Sequence, residues 1–175
     1  LPEMPVSKSC VIGSDFDNDG DIDLFVGGRN IAGNFAKQTR SYILLNNQGF
    51  FTDVTEVLAF PLLNPGHVKS ALWSDYDKDG DPDLLVVGDW MKILVLQNNS
   101  GVFSDKSLSA GIDTSSGMWN SINGGDIDND GDIDYVVGNV GTNTRYNEPN
   151  EQNPFVLYAA DFDDNGSTEY IQGYY

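Results

Sequence analysis

The chain has 175 residues, 39% of them hydrophobic, and a net charge of −18 from 27 acidic residues against 9 Lys and Arg. That balance excludes a nucleic-acid backbone as partner, which requires a basic face, and disfavours an anionic membrane surface. No apolar stretch approaches the roughly 18 residues of a spanning helix, Cys10 stands alone without a disulfide partner, and the length supports one substantial core.

Taken in chain order, the first segment is LPEMPV, which has neither the basic start nor the apolar core of a signal peptide. The chain therefore reads as an excised piece or a mature product. The strand-like setting of Cys10 suggests a buried small hydrophobe. Next comes DFDNDGDID at 15–23, the first of four related nonapeptides. The others are DYDKDGDPD at 75–83, DIDNDGDID at 126–134 and DFDDNGSTE at 161–169. Each has oxygen side chains at positions 1, 3, 5 and 9 and Gly at position 6 (Gly20, Gly80, Gly131, Gly166). A loop curling around Ca²⁺ points alternate side chains inward. It turns sharply at a glycine and adds a neutral carbonyl oxygen at position 7.

A solvated acidic run is the commonplace explanation for Asp-rich stretches. Here position 2 is always apolar (Phe16, Tyr76, Ile127, Phe162) and recurs in register with the Gly. The acids thus face a metal while the apolar residues pin the loop to a core. An EF-hand would require Glu at position 12 and helices on both sides. Position 12 is Val26, Val86, Val137 and Gln172. The residues after position 9 (Leu24–Val26, Leu84–Val87, Tyr135–Val137) are short, β-branched and aromatic runs ending at Gly, which predict buried strands.

Farther along, LLNNQGFFTDVT at 44–55 aligns without a gap on LQNNSGVFSDKS at 96–107. Asn-Asn-x-Gly between strand-like runs predicts hairpins, because Asn and Gly tolerate positive φ. One unit is then a strand, an acidic loop, a buried strand, a variable connection and a two-strand hairpin. Four strands per unit of about 50 residues predicts an all-β chain of consecutive four-stranded antiparallel β-propeller blades. About three blades are expected (about 7–57, 67–107 and 118–175) within one repeat domain, as a fragment of a larger propeller whose open edges invite self-association.

These residues resemble FG-GAP/VCBS repeats, the blades of integrin-α-type calcium-binding propellers. The unit 118–175, with GNVG at 138–141 and LYAADFDDNG at 157–166, is especially similar to bacterial VCBS/ASPIC-type envelope proteins. The resemblance implies side-chain ligands at positions 1, 3, 5 and 9 and a carbonyl at position 7. Site one would then be Asp15, Asp17, Asp19 and Asp23 with the Asp21 carbonyl. Site two would be Asp75, Asp77, Asp79 and Asp83 with that of Asp81, and site three Asp126, Asp128, Asp130 and Asp134 with that of Asp132. The fourth copy departs from the pattern through Asn165, Ser167 and Glu169. With Asp161 and Asp163 it is expected to bind Ca²⁺ more weakly, joining the last two strands of blade three.

The four nonapeptides hold 19 of the 27 acids, so most of the charge is local to proposed Ca²⁺ sites. Such loops suit the calcium levels of the cell exterior, periplasm or cell surface. Catalysis finds little support. His67, the single histidine, precedes a strand and reads as a surface residue. Trp73 and Trp119 fall in or near first strands and are expected in the core, whereas Trp90 is expected exposed in a tight turn. The three arginines lie in the connections 28–41 and 139–153. Arg29, Arg40, Trp90 and Arg145 are therefore the candidate surface for a protein or glycan partner, opposite the first three metal loops. The alternative for the arginines is simple pairing with nearby carboxylates. At the level of function, the expectation is a non-catalytic interaction module. The alternative is an accessory or partial domain of a carbohydrate-active lyase or hydrolase with its active site elsewhere.

Overall fold

The computed structural model describes residues 1–141, 152 and 154–173. Strands β1 (Ser7–Ser14) and β2 (Asp23–Asn30) flank the first acidic loop and pair antiparallel, with Ser14 opposite Asp23. Strands β3 (Tyr42–Asn47) and β4 (Phe50–Asp53) form the Asn-Asn-x-Gly hairpin and complete a sheet of order β1-β2-β3-β4. The pattern repeats in β5 (His67–Ser74), β6 (Asp83–Met91), β7 (Leu94–Asn99) and β8 (Val102–Asp105). The third unit contributes β9 (Gly117–Gly125) and β10 (Asp134–Asn139) around loop three. Strand β9 also pairs with the end of β6, with Met118 opposite Asp89 and Gly117 opposite Met91, which ties the second and third units together.

The fourth loop lies between β11 (Val156–Ala160) and β12 (Glu169–Gly173), which among the described residues form a two-stranded sheet of their own. Its register places Ala160 opposite Glu169. That repeats Ser74 opposite Asp83 and Gly125 opposite Asp134 in the preceding units. The register around loop four thus matches that around the preceding loops.

Alternation along the strands assigns the core. The first unit turns Phe16, Phe25 and Ile43 toward the second, which answers with Leu84, Val86, Leu96 and Phe103 in one buried cluster. The reverse face of the second unit, including Leu85, Val87 and Tyr76, packs on Ile122, Trp119, Tyr135 and Val137 of the third. The outer face of the first unit (Val26, Leu44) is covered by Met4 and Val6. Face-to-face stacking of antiparallel sheets is blade packing, and among the described residues the stack does not close into a ring. A short helix, α1 (Thr55–Leu58), and a 3-10 turn (Phe60–Leu63) join the first two sheets and bury Ala59 and Leu62.

Three expectations need correction. His67 is buried, 2% exposed, because β5 begins at this residue and Phe35 packs edge-on against its ring at 5.1 Å. Trp90 belongs to β6, which runs on through Met91, so the connection to β7 is only Lys92 and Ile93. It is half-buried, adopts a φ of 58°, and its indole packs 4.9 Å from Phe155. The tight turn expected at Asp89 and Trp90 is therefore strand. Trp73 does pack in the core, against Phe16 and Phe103, and Trp119 joins the cluster between units two and three. Cys10 is half-buried against the first cluster, and burial pushes its thiol pKa up.

Candidate metal centres

In each acidic loop the first carboxylate organises the backbone. Asp15 accepts the N–H of Asp19 at 3.0 Å and of Gly20 at 2.9 Å. Asp75, Asp126 and Asp161 do the same for positions 5 and 6 of their own loops. Position 5 accepts the N–H of position 7 in all four copies at 2.8–2.9 Å. Position 9 accepts the N–H of position 2. The turn needs position 4 at φ between 56° and 63° (Asn18, Lys78, Asn129, Asp164) and position 6 at 86–96°. The first is tolerable for Asn and Asp and the second favours Gly. Loop four shares this conformation in full, with Asn165 and Glu169 filling the roles of Asp.

The loops converge oxygens. Ligand atoms of Asp15, Asp17 and Asp19 lie within 4.8 Å of one another. So do those of Asp75, Asp77 and Asp83, of Asp126, Asp128 and Asp134, and of Asp161, Asp163 and Glu169. Two oxygens on opposite sides of a Ca²⁺ stand about 4.6–5.2 Å apart, twice the 2.3–2.6 Å bond. The spacing and the all-oxygen donor set therefore fit a hard divalent cation. Asp23, Asp79 and Asp130, with the position-7 residues Asp21, Asp81, Asp132 and Ser167, belong to the same loops but lie outside these closest groups.

Electrostatics agree with that fit. Burial foremost, then repulsion from Asp19 and Asp15, raises the pKa of Asp17. Burial likewise raises those of Asp23 and Asp83. Crowded carboxylates resist ionisation until a cation is supplied.

Sequence reasoning missed what fastens loop to hairpin. Both oxygens of Asp23 are engaged, one by Phe16 N–H and the other by Asn46 N–H at 2.7 Å, and Asp83 treats Tyr76 and Asn98 likewise. The position-7 side chains Asp21 and Asp81 accept from the hairpin turns at Gln48 and Ser100. The paired Asn-Asn-x-Gly repeats were the available signal. The loops also touch each other: Asn18 donates to Asp81 at 3.0 Å, and Lys78 pairs with Asp132. Loops one to three therefore share one end of the stack.

At the other end, Arg29 closes β2 and pairs with the buried Asp89 at 3.0 Å, while Lys69 pairs with the same carboxylate at 2.7 Å. Arg40 pairs with Asp53. These are the ion pairs of the alternative reading for the arginines. Arg145 lies outside the described residues. The β2–β3 connection meets loop four here, where Phe35 packs 5.3 Å from Tyr170. Between them is a cleft of about 440 Å³ lined in part by Asn30, Ile31, Asn34, Thr168 and Tyr170.

Comparison with curated proteins gives no match. Comparison with protein families matches the FG-GAP-like repeat twice, over residues 15–86 and 75–137, each match running from one acidic loop through the next. Together the two span loops one to three and the sheets that carry them, and on that coverage the chain belongs to the FG-GAP-like repeat family.

Proposed function

We propose that this chain is a calcium-binding propeller-type module of the cell exterior or envelope, non-catalytic, whose metal loops rigidify a scaffold that presents a protein- or glycan-binding surface. The observation that carries the reading is the identity of the four loops. One hydrogen-bond pattern holds hard oxygens within 4.8 Å of each other in every copy. When bound, Ca²⁺ supplies the charge that cancels carboxylate repulsion, and the chain supplies the preset turn.

The partner surface is proposed at the end away from loops one to three, around the β2–β3 connection and Trp90. Rigid strands there support a long connection, the usual setting for recognition. The aromatic and amide lining of the cleft supports a glycan among the ligands. Isothermal titration with Ca²⁺ and Mg²⁺ tests the metal reading, with three tight sites and a weaker fourth expected for Ca²⁺. A glycan array probed with the calcium-loaded protein tests the partner class. Absence of heat on Ca²⁺ addition to chelator-treated protein overturns the reading.

A further inference from the structure

Lys78 is the single basic residue in the four acidic nonapeptides. It stands at position 4 of loop two, where loops one and three carry Asn18 and Asn129 and loop four carries Asp164. The backbone there turns through a φ of 63°, a conformation that favours Asn over Lys. The chain thus places a long cation where the turn prefers an amide, and nothing within the loop accounts for it.

The account lies between the loops. Position 4 of one loop reaches position 7 of the next twice in the stack: Asn18 donates to Asp81 Oδ1, and Lys78 donates to Asp132 Oδ1. Position 7 is tied back into its own loop, since Asp79 accepts the N–H of Asp81 and Asp130 accepts that of Asp132. One bridge is built with a neutral amide and the other with a full positive charge. Around that charge stand carboxylates of both loops. The hydrogen bond to Asp132 foremost, with the charges of Asp132, Asp130 and Asp75 added, pushes the Lys78 pKa up, so the ammonium stays protonated. Asp75 belongs to the converging group of loop two, and Asp130 holds position 5 of loop three. The side chains of Lys78 and Asp132 are 62% and 60% exposed, which leaves the pair open to screening by salt.

We propose that Lys78 is a counter-ion shared by loops two and three, which holds their carboxylates together before calcium arrives and lowers the calcium affinity of both. The inference rests on the metal reading of the loops given above. A resident cation relieves part of the carboxylate repulsion that an arriving Ca²⁺ would otherwise relieve, and it then repels the ion itself. Both effects have one sign: the metal-free form gains and the metal-bound form loses. The bridge between loops one and two carries no such charge. Lys78 therefore sets the calcium concentration at which loops two and three fill.

Calcium titration of the whole chelator-treated chain at low ionic strength reads the result. Lys78→Gln removes the charge while meeting the same backbone turn, and Lys78→Arg keeps the charge. In Lys78→Gln two binding steps should tighten by about three- to tenfold. Its melting temperature in EDTA should fall below that of wild type, and the rise on adding Ca²⁺ should be larger. Lys78→Arg should match wild type in all three measurements. In about 1 M KCl, where the screening length falls to about 3 Å, the difference between Lys78→Gln and wild type should shrink below about twofold. A Lys78→Gln variant that titrates within about twofold of wild type at low salt, a Lys78→Arg variant that tightens as much as Lys78→Gln, or a difference that high salt leaves unchanged overturns this inference alone. A wild-type chain that takes up no Ca²⁺ at all overturns the metal reading beneath it as well.

Discussion

Asn18 and Asp81 belong to different acidic loops, 63 residues apart, and are joined by a 3.0 Å hydrogen bond. Asn18 holds the position that must adopt a positive φ in loop one. Asp81 is the residue of loop two whose other oxygen grips the hairpin turn at Ser100. Ordering one loop therefore positions a residue of the next. Asn18→Gly removes the amide without strain, because Gly accepts the same φ. We expect all sites to survive and the first two binding steps to lose part of their coupling. A hydrogen bond of this kind contributes about 0.5–1.5 kcal/mol, so the stepwise constants from calcium titration should shift by at most about tenfold.

Calcium removal should lower the melting temperature sharply. A site held at about 100 times its dissociation constant stabilises the folded state by roughly 2.7 kcal/mol. Several such sites rival the whole stability of a domain, about 5–15 kcal/mol. Calorimetry with and without EDTA checks this, and coincident midpoints contradict a structural role for the ion.

Position in the loop separates ligands from other acids. Asp77→Ala and Asp128→Ala each take a carboxylate from a converging group and should each cost one calcium in titration. Asp53→Ala should keep every site while reducing stability by about 1–3 kcal/mol. Asp53 accepts both the N–H and the hydroxyl of Thr55 and pairs with Arg40, contacts that tie β4 to the start of α1.

Arg29→Ala should destabilise the fold. Its partner Asp89 is 6% exposed at the side chain and would keep only Lys69. Leaving a buried carboxylate with one cation in place of two costs on the order of 1–3 kcal/mol, readable as a drop in denaturant midpoint.

Acid should weaken the protein through His67. Burial first, then the positive charge of Arg29, lowers its pKa from the ordinary 6.5, with Asp89 pulling the other way. The unfolded chain therefore binds the proton more readily than the folded one. This contribution is intact above pH 6.5 and is lost as pH falls below it, toward the depressed folded value. His67→Gln should flatten the slope of calcium-free melting temperature against pH in that window. Unfolding curves that keep the wild-type slope in the variant assign it to other groups.

Much of this molecule is legible in one dimension because its determinants are local. Each acidic loop is closed by its own nine residues: Asp15 caps Asp19 and Gly20 from four and five residues away. Spacing alone therefore identifies the loop, the strand that follows and the repeat. The Asn-Asn-x-Gly hairpins are local in the same way. What only the tertiary structure decided depends on pairs far apart in the chain. His67 precedes a strand and nothing local buries it. Phe35, 32 residues earlier by numbering, comes over its ring. Trp90 looks like a turn residue beside Gly88 and Asp89, yet it stays in β6 because β9 pairs with that end of the strand. Arg29 and Arg40 are free cations on paper and ion-paired in space. Asn46 and Asn98 read as turn residues, and only the stacking of one sheet on another turns Asn98 into the clamp on Phe16. Alternation tells which residues are buried, but the partner of each face is set by the neighbouring sheet, and that information is carried by no short stretch of sequence.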